Sequence, residues 1–70
     1  MFDYQKLLGK MREKSLSQFQ LSKIIGMSES TLNIKLNGKS YFRQEEILKI
    51  CDALGIQDDE VNTYFFTQKV

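Results

Sequence analysis

Residues 17–38 read SQFQLSKIIGMSESTLNIKLNG, and this stretch decides the fold. Its first part spells a short helix from Gln18 to Ile25, with Leu21, Ile24 and Ile25 on one face at i, i+3 and i+4. Gly26 ends that helix, as a residue free to take positive φ does. Met27 crosses the turn and Ser28 is placed to cap a second helix. That second helix has Leu32 and Leu36 as an i, i+4 apolar pair and stops at Asn37-Gly38. A helix, a tight glycine turn and a second helix with a polar outer face are the parts of a helix-turn-helix, which lays its second helix in the DNA major groove.

Working outward, the flanks supply more short helices. Tyr4, Leu7, Leu8 and Met11 share one stripe, which predicts an amphipathic helix over 3–14 with Lys10 and Lys14 in solvent. Ile47, Ile50, Cys51 and Leu54 form another stripe from Gln44 to Leu54, ended by Gly55. Asp58, Asp59 and Glu60 load acid onto the start of a short last helix, where the dipole favours it, and that helix runs on through Val61 and Tyr64. No strand alternation, repeat or low-complexity linker is present. The expected fold is all-α: one domain over 1–70, a compact bundle of five short helices.

Composition narrows the class of function. Seventy residues lie near the lower limit for a self-sufficient core. Nothing approaches the ~20 apolar residues of a membrane helix and no leader precedes the first helix, so a soluble protein of the bacterial cytoplasm and nucleoid is expected, away from membranes. One cysteine forms no internal disulfide, and Cys51 on an inner stripe reads as a small buried hydrophobe. With no histidine, a single cysteine and four isolated glycines there is no triad, zinc cluster or phosphate loop. No enzyme activity, metal, cofactor or small-molecule ligand is therefore expected.

The net charge of +1 is unevenly spread. Residues 1–40 hold Lys6, Lys10, Arg12, Lys14, Lys23, Lys35 and Lys39 against Asp3, Glu13 and Glu29, a balance of +4. Residues 41–70 hold Arg43, Lys49 and Lys69 against Glu45, Glu46, Asp52, Asp58, Asp59 and Glu60, a balance of −3. The positive half is the one with the two-helix motif, as attraction to phosphate requires.

Leu16-Ser17-Gln18, Leu21, Gly26-Met27-Ser28, Leu32 and Asn37-Gly38 resemble the DNA-binding domain of lambda-type phage repressors and Cro proteins, the Cro/C1-type (XRE-like) helix-turn-helix family. The resemblance extends through Ile47, Ala53-Leu54-Gly55-Ile56 and Glu60. The opening MFDYQKLLGKMREK and the ending YFFTQKV further resemble small phage or prophage regulators of Gram-positive bacteria.

The resemblance implies roles. Gln18 meets the phosphate backbone through its amide, or is simply polar in a first helical turn. Ser28, Glu29, Ser30 and Thr31 open the recognition helix over 28–37. Ser28, Ser30 and Thr31 can reach bases or phosphates, with a plain helix cap as the alternative for Ser28. Glu29 accepts from cytosine N4 or complements the helix dipole. Asn33 reaches adenine or a phosphate. Ile34 lies almost opposite the Leu32/Leu36 face, where an aliphatic group packs on a thymine methyl or is merely exposed. Lys35 departs from the family's usual apolar residue, its stem covering the core while its ammonium reaches phosphate or solvent. Asn37, Lys39 and Ser40 lie in the following loop, with Lys39 the strongest phosphate candidate.

Two readings follow. The first is a Cro-like transcriptional repressor on double-stranded operator DNA, binding an inverted repeat as a homodimer that forms at least on DNA. The Tyr64–Val70 segment would contribute to pairing, because Tyr64, Phe65 and Phe66 cannot all be buried on one side of a short helix. No ligand or oligomerisation domain is expected after the fifth helix. The second is a protein-binding helical module (antitoxin, anti-repressor or adaptor) on the same fold. Phe19, pointing away from the apolar face, hints at an unassigned contact.

Overall fold

The computed structural model describes residues 1–70. Five α-helices follow one another: α1 (Gln5–Glu13), α2 (Gln18–Ile25), α3 (Glu29–Leu36), α4 (Gln44–Leu54) and α5 (Val61–Phe65). A single 3₁₀ turn, Asp58–Glu60, leads into α5. The expected all-α bundle of five short helices is the observed fold.

Local chemistry explains the helix ends. Ser17 caps α2 reciprocally: its Oγ accepts from Gln20 N–H at 3.1 Å, and its own N–H donates to Gln20 Oε1 at 2.9 Å. Gly26 and Gly55 close α2 and α4 in the left-handed region, at φ 74° and 68°. Gly38 also has positive φ, 78°, and a Cβ there would stand 3.3 Å from the Phe2 carbonyl oxygen. It therefore allows the start of the chain to lie against the end of α3. Ser15 reaches φ 58° without that freedom.

Each helix sends a side chain into one enclosed core: Leu7 from α1, Leu21 from α2, Leu32 from α3, Ile50 and Leu54 from α4, and Phe65 from α5. Removing each from water is worth roughly 1.5–3 kcal/mol. α2 packs against both α3 and α4, while α1 packs against α5. Cys51 is buried, and burial pushes its thiol up, with the neighbouring Asp58 carboxylate adding to the effect. It is a packing residue, as its stripe position implies.

Two expectations are corrected. Ile24 is 56% exposed, because the buried stripe of α2 is Leu21, Ser22 and Ile25. Ser22 can sit inside because its hydroxyl donates to the Phe19 carbonyl at 2.7 Å. Lys10 is not free in solvent: its ammonium lies 3.5 Å from Glu13 and 5.7 Å from the centre of the Tyr64 ring. No strand forms, as expected; the two ends pair through one isolated antiparallel bridge between Phe2 and Gln68. Asp3 N–H donates to the Thr67 carbonyl at 2.7 Å and Lys69 N–H to that of Met1 at 2.9 Å. The three C-terminal aromatics divide as their helical spacing requires: Phe65 is fully buried, Tyr64 half-buried and Phe66 exposed. No helix is long and apolar enough to cross a membrane.

Candidate functional site

The α2 and α3 helices meet across the three residues Gly26, Met27 and Ser28. Leu32 and Leu36 turn inward and Ile34 outward, as the 100° count along α3 has it. Gln18, Glu29, Ser30, Asn33 and Ile34 line one shallow depression, so five of the ten candidate contact residues share a surface.

That surface is knit together by hydrogen bonds. Asn33 Nδ2 donates to Gln18 Oε1 at 3.0 Å, bridging the two helices. Asn37 Nδ2 turns back to the Asn33 carbonyl at 2.8 Å and to Asn33 Oδ1 at 3.1 Å. Ser28 Oγ accepts from Thr31 N–H at 3.2 Å and donates to Thr31 Oγ1 at 2.8 Å. Ser28 and Thr31 are thus engaged in the cap, and Asn37 in holding Asn33. Lys39 and Ser40 are exposed beyond Gly38, outside the depression.

Lys35 differs most from expectation. Its stem does cover the core, but its ammonium reaches neither outer-face phosphate nor solvent. It donates to Glu46 Oε1 at 2.7 Å, the two side chains being only 10% and 18% exposed. The same Glu46 oxygen accepts the Arg43 backbone N–H at 2.8 Å. Burial alone would raise the Glu46 carboxyl, but hydrogen bonds from Lys35 and Arg43, together with their charges, hold it below its ordinary range. No sequence signal announces this pair, because its members lie on different helices.

With Lys35 withdrawn, Glu29 is the only charged side chain on the outside of α3. The apolar groups exposed on the pair are Phe19 and Ile24 from α2 and Ile34 from α3. Lys23 sits over the Phe19 ring at 5.1 Å, an i, i+4 cation–aromatic contact that sequence spacing could have suggested.

A second surface was foreseen only in part, as the aromatic excess at Tyr64–Phe66 expected to serve pairing; its α4 wall was not foreseen. Phe42, Ile47, Leu48, Val61 and Phe66, with Gln44, line an open groove where α4 meets α5. It adjoins an aromatic cup whose rings meet edge to face, Tyr4–Phe42 at 5.3 Å, Phe2–Phe66 at 5.5 Å and Phe42–Phe65 at 5.6 Å.

The five-helix chain thus presents two distinct surfaces, a polar, knit two-helix face and a separate aromatic groove. The family described as "Protein of unknown function (DUF739)" matches residues 1–68, and the chain belongs to that family. Its fold is similar to the solution structure of the modulator of repression (MOR) of the temperate bacteriophage TP901-1 from Lactococcus lactis. That similarity has a TM-score of 0.79 and 39% sequence identity, and spans 99% of this chain and 93% of the other. No curated protein matches at a significant level. This is a small, phage-regulator-like helical protein, and the family shown is this one rather than the Cro/C1-type family that residues 16–38 resemble.

Proposed function

We propose that this chain is a regulator of repression that acts by contact with a DNA-binding repressor protein. Its similarity to a phage modulator of repression supports a place in such a switch. The observation that carries the reading is the withdrawal of Lys35 from the outside of α3 into its bond with Glu46. Phosphate neutralisation supplies a large share of a DNA-binding protein's affinity. This helix offers no cation of its own for that purpose. It presents Ile34 among Gln18, Ser30 and Asn33, an apolar centre within a neutral polar rim that suits a protein interface.

Direct operator binding is the second reading, favoured by exposed Lys39 just past α3 and by the +4 balance of residues 1–40. It would use Gln18, Ser28, Glu29, Ser30, Thr31, Asn33, Ile34, Asn37, Lys39 and Ser40 as contacts, with the chain acting as a Cro-like homodimer.

Calorimetric titration of the cognate repressor, run beside a gel-shift assay of the chain alone on random duplex DNA, separates the two. The expected result is repressor binding that Ile34→Asp weakens at least about tenfold, with helicity unchanged and no shift of DNA. Salt-sensitive retention of DNA by the chain alone, without repressor binding, would overturn the reading in favour of the second.

A further inference from the structure

The α4–α5 groove is the large apolar surface that the site above does not use. Leu48 is 64% exposed and Phe66 43%, although the core stripe of α4 is complete without Leu48. The groove opens beside the aromatic cup, a cavity of about 200 Å³ sharing Phe42, Ile47 and Phe66 with it. A recess of that size admits one large side chain, the arrangement by which an anchor residue concentrates binding energy.

The surrounding charge indicates what would bring such an anchor. Glu45 and Asp52 lie one helical turn either side of Leu48, and both are exposed. Asp58 and Asp59 are exposed on the 3₁₀ turn just before Val61. Against these four acids stand two exposed bases, Lys49 within α4 and Arg43 at its N-cap. The geometry points to this groove as the docking site for an amphipathic helical segment with an apolar anchor and basic flanks. The partner's identity rests on the function proposed above, since a repressor's DNA-contacting region carries basic residues for phosphate. The groove is then a second contact on the same partner, read by its acids and filled by its apolar anchor, the helix-in-groove mode of recognition.

The test titrates the ¹⁵N-labelled chain with a synthetic amphipathic peptide carrying Leu and Phe anchors between Lys and Arg flanks, and with a twin bearing Glu flanks. The basic peptide should shift the amides of Leu48, Val61 and Phe66, bind more weakly as salt rises, and outcompete its acidic twin. Leu48→Glu should weaken it at least about tenfold, and E45K/D52K several-fold, with circular dichroism unchanged. Shifts centred elsewhere, equal binding of the two peptides, or groove-dependent self-association of the chain without peptide binding would each overturn the proposal.

The intact repressor is titrated in parallel. If it binds Leu48→Glu as tightly as the native chain, the groove proposal fails while the proposed function stands. If the basic peptide seats in the groove but the repressor does not bind, the groove stands and the proposed function fails.

Discussion

The outer face of α3 and the groove between α4 and α5 are surfaces of one small bundle, yet they expose opposite chemistry. The first is polar, hydrogen-bonded to itself and nearly uncharged; the second is aromatic and aliphatic with acids around it. A single bond links the two cases. Glu46 of α4 draws in the one cation of α3, so the same contact clears positive charge from the first face and consumes a carboxylate near the second. Charge counted along the chain is therefore not charge displayed on the surface. Residues 1–40 carry +4, but α3 does not show its share of it.

The hardest break in this comparison is at the core that both faces share. Phe65→Ala should cost about 3–5 kcal/mol in urea denaturation, enough to unfold much of a domain this small. Phe66→Ser, one residue on, should leave the midpoint nearly unchanged, because its ring is already half in water. Equal losses would mean that the groove wall is part of the core.

The same contrast recurs within α3. Leu32→Ala should cost about 2–5 kcal/mol and Ile34→Ala no more than about 0.5 kcal/mol by the same measurement.

The bond joining the faces comes next. Lys35→Met should cost roughly 1.5–3 kcal/mol, the scale of a hydrogen bond between charged groups that also leaves Glu46 without its partner. The folded carboxyl of Glu46 lies below its unfolded value of 4.5, so its stabilising contribution is present above that value. It is lost as pH falls through the lower folded value, when protonation removes the counter-charge of Lys35. The stability difference between the native chain and Glu46→Gln should accordingly shrink toward acid. A difference that stays flat with pH would show that the fold does not hold the Glu46 carboxyl below its ordinary range.

The smallest effect sharpens the polar face. Lys39→Ala should leave stability unchanged within about 0.5 kcal/mol. Were α3 to read DNA, it would flatten the dependence of log K on log salt by about one unit. Under repressor contact the chain alone retains no DNA, so there is no DNA-binding slope to flatten.

Much of the helical frame was legible in the residues themselves. Ser28 announces the start of α3, Gly26 and Gly55 announce left-handed stops, and the Leu32/Leu36 pair orients α3 correctly. Ile24 was misread because Ser22 takes a place in the core that apolar counting reserves for hydrocarbon. Its hydroxyl is satisfied within its own helix, so nothing in the sequence marks it as buried. The Lys35–Glu46 pair and the α4–α5 groove were not legible for a different reason. Both arise between helices, where the relative placement of two surfaces decides, and no local spacing encodes it.

The bridge between Phe2 and Gln68 leaves the first and last backbone segments hydrogen-bonded side by side. Topologically the chain is almost a ring. A short Gly-Ser linker should join residues 1 and 70 without strain, and new ends could be opened in the loop at 39–42, where no helix is cut. Such a circular permutant would keep all five helices and place α4 and α5 ahead of α1–α3 in the order of synthesis. It would also free the corner beside the aromatic cup, where any fusion at residue 1 or residue 70 must now hang.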